Sequence, residues 1–147
     1  MENIGSILAD TSRLMRRAFD VRARAIGVTR AQWQVLSTLR RHEGINQGGL
    51  AEQLDVEPIT VCRMVDRLQE ADLVERRADA ADRRSWRLYL TPRAHQLLEQ
   101  LRPLADVLIE EMLEGIADAD REALGQLLEQ VRANLARRLI EPVTAHG

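Results

Sequence analysis

The sequence of 147 residues contains no lysine, one cysteine and very few aromatic residues. Because Cys62 stands alone, no disulfide can form within one chain, and a cysteine-rich zinc site is excluded. Aromatic residues make up 3% of the chain, and leucine and alanine are abundant, which favours a helical core over a β-sandwich. These scarcities indicate a mainly helical protein in a reducing compartment.

Long hydrophobic runs are also missing. No apolar run approaches the roughly 18 residues that a membrane span needs, and the amino-terminal segment lacks the apolar core of a signal peptide. Apolar residues form 45% of the sequence and charged residues 30%, as in ordinary globular proteins. We therefore expect a cytoplasmic protein without a membrane segment.

Residue sets typical of metal or catalytic sites are sparse. The three histidines lie far apart, at His42, His95 and His146. The densest acidic cluster, Glu110, Glu111 and Glu114, has no histidine or cysteine beside it in the sequence and resembles solvated charge on a helix. We predict no metal, no cofactor and no enzymatic activity.

The net charge of −2 does not exclude a nucleic-acid partner, because the charges are unevenly distributed. Residues 94–147 carry 10 acidic residues and 5 arginines, whereas residues 57–93 carry 7 acidic residues and 8 arginines. The excess acid therefore lies at the carboxyl end, and the middle of the chain retains a slight excess of arginine.

Apolar periodicity and capping signals predict six helices. They cover approximately residues 4–25, 29–42, 48–54, 58–71, 92–115 and 118–139. Thr29 and Gln32 form a capping-box pattern, Pro58 suits a first helical turn, and Pro103 predicts a kink. The tail after Pro142 is expected to fray.

Two strands are predicted between the fourth and fifth helices, over residues 73–77 and 85–91. In the second, Trp86, Leu88 and Leu90 alternate with polar or amphipathic residues, as in a half-buried strand. Residues 78–84 form a polar hairpin tip. The order of three helices, two strands and long flanking helices is typical of a winged helix-turn-helix.

In such a fold the fourth helix enters the major groove of DNA, where arginine binds guanine and threonine meets an acceptor or a thymine methyl group. Thr60, Arg63 and Arg67 share its predicted outer face. A solvated amphipathic helix explains that face equally well. Asp82-Arg83-Arg84 at the tip favours DNA, because a narrow cationic hairpin fits a minor groove. We expect Asp82 to pair with a nearby arginine and orient it, although an ordinary surface salt bridge is the alternative.

Residues 68–77, 82–84 and 88–92 resemble the MarR family, and within it the SlyA-like group. The resemblance extends over nearly the whole chain and implies a winged helix-turn-helix at 29–91 and a dimerisation region formed by 1–28 and 92–147. It also implies that Ile59, Thr60 and Arg63 probe the major groove and that Arg84 enters the minor groove, held by Asp82. The full set of predicted DNA contacts is Ile59, Thr60, Arg63, Arg67, Asp82, Arg83 and Arg84. Asp72 stands where the family usually has glycine, so a positive φ is expected there.

A homodimer on an inverted-repeat operator follows from the resemblance and from the apolar stripes of the terminal helices, which need a partner. Without the resemblance, the same stripes fit a monomer core. The family also implies a small aromatic or phenolic effector, for which Trp33 is a candidate contact, although a core role suits this tryptophan better. For Cys62, packing is favoured over redox sensing. A helical interaction protein without DNA binding is the remaining alternative.

Overall fold

The computed structural model describes residues 1–140, and the predicted fraying after Pro142 lies outside them. The chain divides into two compact units, Met1–Leu108 and the remainder from Ile109 onward. Within the described residues, no helix is long and apolar enough to cross a membrane. The predicted fold class, mainly helical with a small β-hairpin wing, is confirmed.

Four helices precede the hairpin: α1 (Ile4–Ala25), α2 (Arg30–Arg41), α3 (Gln47–Leu54) and α4 (Pro58–Glu70). Their amino ends follow local chemistry. The side chain of Asn3 accepts a hydrogen bond at the start of α1, and Asn46 does so at α3. At α2 the predicted capping box is present, because Thr29 and Gln32 each bond the other's backbone N–H.

The hairpin consists of β1 (Val74–Ala78) and β2 (Trp86–Leu90), paired antiparallel from Val74 with Leu90 to Ala78 with Trp86. On its other edge, β2 meets the segment between α2 and α3. The N–H of Gly44 donates to the carbonyl oxygen of Leu88 at 2.9 Å, and the N–H of Leu88 donates to the carbonyl oxygen of Ile45 at 3.0 Å. The second strand is therefore the central one of three short segments.

The turn between α4 and β1 has a left-handed residue at the predicted position. Asp72 has φ 58°, as expected where the family has glycine. Its carbonyl accepts a 2.6 Å hydrogen bond from the hydroxyl of Thr91, which also accepts a bond from the N–H of Ala94. Thr91 thus links this turn to the start of α5 (Pro92–Met112).

One hydrophobic core holds α2, α3, α4 and the hairpin together, with α5 and the end of α1 packed against it. Its largest fully buried side chains are Leu36, Leu39, Leu50, Leu88, Val35, Val61, Val65 and Val74. This core fixes the open end of the hairpin, where β1 begins and β2 ends, against the helices and leaves the tip outside.

The last two helices begin at the predicted residues, and the kink predicted at Pro103 stays a prediction. The fifth continues through Pro103 to Met112, and Gly115 adopts φ 81° in the turn after it. There Arg121 donates to the carbonyl oxygens of Leu113 and Ile116. The sixth, α6 (Asp118–Ile140), has exposed apolar residues at Leu124, Leu127, Leu128, Val131, Leu135, Leu139 and Ile140.

Candidate nucleic-acid interface

One face of α4 is polar and open. Val61, Val65 and Leu68 are buried in the core, which turns the opposite face of the helix outward. The residues predicted to contact DNA on this helix, Ile59, Thr60, Arg63 and Arg67, are all exposed. Pro58 occupies the first helical turn, where its missing N–H removes no intrahelical bond. The beginning of α4 is therefore accessible to a ligand as large as a DNA duplex.

The tip of the hairpin is a folded turn. The N–H of Asp79 donates to the carbonyl of Ser85 at 3.1 Å, and the N–H of Ser85 donates to the carbonyl of Asp82 at 3.0 Å. The Asp79 carboxylate also accepts a bond from the N–H of Ala81. Arg83 and Arg84 are exposed on this turn. The backbone is thus held while the two arginines remain available.

Asp82 holds Arg84 differently from our prediction. Its Oδ1 accepts a 3.0 Å hydrogen bond from the backbone N–H of Arg84, rather than pairing with an arginine side chain. Such a bond, from an aspartate to the N–H two residues on, is a common turn-stabilising contact. The carboxylate fixes the backbone direction of Arg84 and leaves its guanidinium free to contact a phosphate or a base.

Arg87 anchors the tip to the rest of the fold. Its Nε lies 3.1 Å from Oδ2 of Asp79, whose side chain is 11% exposed. Its Nη1 donates to the carbonyl of Gly44 at 2.9 Å. A single guanidinium therefore connects the base of the tip with the turn after α2.

Arg76 makes the most extensive side-chain contacts near the site. From β1 its Nε donates to Oε1 of Gln47 in α3 at 2.8 Å, and its Nη1 donates to Oε1 of Gln69 in α4 at 2.9 Å. Its Nη2 donates to the carbonyl of Cys62 at 3.2 Å, and Nη1 lies 2.7 Å from Oδ1 of Asp66. One side chain thus fixes the wing against both helices of the helix-turn-helix.

The outer face of the hairpin has its own charged cluster. The guanidinium of Arg77 lies 4.0 Å from the centre of the Tyr89 ring. Its Nη2 is 3.3 Å from Oε2 of Glu75, and this hydrogen bond raises the pKa of Arg77 above its usual value. Stacked on the ring and paired with Glu75, Arg77 stiffens the strand face opposite Arg76.

Sequence reasoning missed Arg76, Asp79 and Arg87. A signal was present for Arg76, because it falls between Val74 and Ala78 on the inward phase of β1, where an arginine needs partners. Asp79 and Arg87 gave no local signal. The register pairs Arg87 with Arg77, so Asp79 lies two residues nearer the tip, and its contact with Arg87 runs diagonally across the hairpin.

Trp33 has specific partners in the first unit. Its Nε1 donates to Oδ1 of Asp20 at 2.6 Å, and its ring packs edge-to-face on Phe19 with centroids 4.9 Å apart. Arg30 lies 3.7 Å from the second carboxylate oxygen of Asp20. These contacts join α2 to α1, and they use the one hydrogen-bond donor of the indole.

Cys62 and the acidic cluster, the other candidates from the sequence, make contacts of the kind found in any folded protein. Cys62 is half-buried, with its Sγ 3.9 Å from Nη2 of Arg76. In the acidic cluster, Glu110 forms a 2.9 Å ion pair with Arg121. Among residues 1–140, no group of three or more histidine, cysteine or acidic side chains is arranged to hold a metal ion.

An exposed helix in a helix-turn-helix, braced against a cationic hairpin, defines a winged helix-turn-helix protein. The MarR family model matches residues 28–86. A solved transcriptional regulator, PA3341, is 35% identical, with 92% of this chain and 99% of that chain covered and a TM-score of 0.78. A MarR transcriptional regulator from Methanosarcina mazei Go1 is 26% identical, with 91% and 96% covered and a TM-score of 0.81. The chain belongs to the MarR family of transcriptional regulators.

The narrower SlyA-like assignment stays a prediction. A transcriptional regulator SlyA matches over 93% of this chain and 96% of its own, with a TM-score of 0.77 and 21% identity. The apo form of MarR from E. coli is 25% identical, with 89% and 98% covered and a TM-score of 0.80. These structures share one fold with this chain and do not separate subgroups.

Proposed function

We propose that the chain is a sequence-specific regulator that binds an inverted-repeat operator as a homodimer. The observation that carries this proposal is the exposed amino-terminal half of α4, held against an arginine-bearing wing by Arg76. A helix presented in this way fits the major groove, while the hairpin reaches the adjacent minor groove.

Thr60 and Arg63 read base edges in this proposal, with Ile59 beside them and Arg67 extending the same exposed face. Arginine can donate two parallel hydrogen bonds to O6 and N7 of guanine, and threonine can contact an acceptor or a thymine methyl group. Arg63 lies within the first two turns of α4, the part of a recognition helix that approaches the bases.

Arg83 and Arg84 enter the minor groove in the same proposal. A narrow minor groove concentrates negative potential, which attracts arginine side chains without direct reading of individual bases. Asp82 contributes by holding the N–H of Arg84, and Arg87 by anchoring the tip through Asp79. The wing thus supplies shape recognition next to the base contacts of α4.

The homodimer rests on apolar side chains that a single chain leaves exposed. In α1, Ile4 is 74% exposed and Leu14 52%, and in α6 Leu127 is 64% exposed and Leu135 62%. Burial of such side chains stabilises an interface by about 25 cal/mol per Å². We expect these terminal helices to pack between two subunits, with operator half-sites about one helical turn apart.

The dimer can be tested separately from DNA binding. Sedimentation velocity should give twice the chain mass of 16.7 kDa for the natural protein. Leu127→Glu places a charge in the proposed interface and should shift the protein towards monomer, whereas Glu122→Gln on the same helix should not. A monomeric natural protein at micromolar concentration would exclude the symmetric-operator model.

The proposal also includes regulation by a small aromatic or phenolic effector. Phe19 and Trp33 supply an edge-to-face aromatic pair where α1 meets α2. A ligand regulates only if it binds the DNA-competent and incompetent states with different affinity. The check is the operator affinity measured with and without phenolic compounds, in the natural protein and in Trp33→Phe.

The main experiment is selection of bound sequences from random duplex DNA at fixed, near-physiological salt. An enriched inverted repeat supports the dimeric regulator and supplies the operator for later tests. Weak, salt-sensitive binding without enrichment, unchanged after phenolic compounds are added, would contradict sequence-specific function. Whether the protein activates or represses depends on where that operator lies relative to a promoter.

A further inference from the structure

Trp86 is 48% exposed, although it lies on the same strand face as two buried leucines. Leu88 and Leu90 follow it at alternate positions of β2 and are 0% and 6% exposed. Its partner across the hairpin is Ala78, which offers one methyl group. The apolar face of β2 therefore continues two residues beyond the buried Leu88 and ends in a half-exposed indole.

The position of Trp86 relates it to the DNA-binding residues. Arg76 projects from the same hairpin face and reaches Gln47 and Cys62, so this is the face turned toward α3 and α4. The pair of Trp86 with Ala78 lies two residues nearer the tip than the pair of Leu88 with Arg76, and Arg84 precedes Trp86 by two residues. The indole thus stands at the base of the tip, on the side of the wing that faces the helix-turn-helix.

The chemistry around Trp86 favours a polyanion with apolar edges as its partner. Arg83 and Arg84 are exposed on the adjoining tip, and Arg63 and Arg67 are exposed on α4. Tryptophan offers an apolar ring and one N–H donor. A DNA backbone matches both features, because deoxyribose presents carbon–hydrogen surface and the phosphates accept hydrogen bonds.

We propose that Trp86 packs against the sugar–phosphate backbone of the bound duplex, between the groove entered by α4 and the groove entered by the tip. The ring lies on deoxyribose, and Nε1 faces a phosphate oxygen. This inference rests on the proposed function, since it requires a duplex that spans α4 and the wing. It adds a contact that positions the DNA without reading bases.

Intrinsic fluorescence provides a direct test, because the protein has only two tryptophans. Trp86→Phe leaves the emission of Trp33 alone, so the difference between the natural protein and this variant reports Trp86. Saturation with operator duplex should change the Trp86 emission and reduce its quenching by acrylamide. A Trp86 signal that is unchanged at saturation would overturn the inference.

Affinity measurements supply a second readout. Trp86→Ala should weaken binding about tenfold, as loss of a central aromatic contact does. The loss should be similar for every operator variant, because a backbone contact carries no base information. Trp86→Phe should retain most of the affinity, and both variants should melt near the temperature of the natural protein because the side chain is half outside the core.

The outcomes separate this inference from the function beneath it. If the natural protein selects no operator, both the regulator and the Trp86 contact are rejected. If it binds an operator but Trp86→Ala binds equally well, only the Trp86 contact is rejected. A Trp86 emission change that follows protein concentration without DNA would assign the indole to a contact between protein chains and would also reject the inference.

Discussion

Arg76 in β1 and Asp66 in α4 form an ion pair with 2.7 Å between Nη1 and Oδ1. The side chain of Asp66 is 55% exposed, so water weakens this pair, and alone it stabilises the fold by about 1 kcal/mol or less. The side chain of Arg76 is only 14% exposed and also donates to Gln47, Gln69 and the carbonyl of Cys62. The position of the wing therefore depends on the arginine more than on the aspartate.

Arg76→Lys should lower both stability and DNA affinity. Lysine keeps the charge but cannot reach acceptors on α3 and α4 together, because it lacks the planar fork of donors. We expect the free energy of unfolding to fall by about 1–3 kcal/mol in urea denaturation. Asp66→Asn is the matched control and should cost about 1 kcal/mol or less. Equal losses for the two variants would contradict the central role of Arg76.

Asp82 offers a test that separates hydrogen bonding from charge. Asp82→Asn keeps an oxygen that accepts from the N–H of Arg84 but removes the negative charge beside the phosphates. We expect it to bind operator at least as tightly as the natural protein. Asp82→Ala removes the acceptor and should weaken binding by about 1 kcal/mol. Binding isotherms at one salt concentration give the comparison, and a weak Asn variant would show that the carboxylate charge is needed.

Arg63→Ala should cost about 1–3 kcal/mol of operator affinity and relax the preference at one base position. The reason is the loss of a bidentate contact to a base edge. Repeating the sequence selection with the variant measures this directly. If binding weakens uniformly across all sequences, Arg63 contacts a phosphate and the base-reading role passes to another residue.

Arg84→Ala should weaken binding most where the operator flanks are rich in A·T pairs. Such flanks have a narrow minor groove with enhanced negative potential, where the wing is proposed to enter. The check compares A·T-rich and G·C-rich flanks around one operator core. Arg93→Ala serves as a control arginine near the start of α5, away from the tip. Equal loss on both flanks would remove the minor-groove role.

Asp72→Gly should raise the free energy of unfolding by about 1 kcal/mol, since φ 58° is a left-handed conformation that costs this much for residues with a Cβ. Asp72→Ala keeps the Cβ and should give no gain. Thermal and urea unfolding of the two variants provide the measurement. If the glycine variant is less stable than the natural protein, the Asp72 side chain stabilises the fold by more than its left-handed conformation costs.

The elements of the fold were predictable because their signals are local. The Thr29 capping box and Pro58 at the start of α4 depend on neighbours within a few residues, whereas the left-handed Asp72 was expected from the family resemblance. The exposed face of α4 followed from helical periodicity in the same way. Whether its residues contact DNA stays a prediction, and so does the division between dimerisation and DNA-binding regions.

The contacts that brace the site were not predictable, because they join distant segments. Gln47 lies 29 residues from Arg76, and Gly44 lies 43 residues from Arg87. Such pairs are fixed by the docking of the hairpin on the core, which the sequence alone does not specify. The partner of Trp33 was missed for the same reason, since Asp20 is in another helix.

The position of β2 between two backbone neighbours also affects how the protein behaves at high concentration. With β1 on one side and the turn after α2 on the other, β2 presents no open edge along Leu88. The outer strand β1 is five residues long and carries Glu75, Arg76 and Arg77 in succession. Short strands with consecutive charges resist pairing with strands of other molecules. The charged run that contains Arg76, the residue that sets the wing in place, therefore also protects the protein against edge-to-edge aggregation.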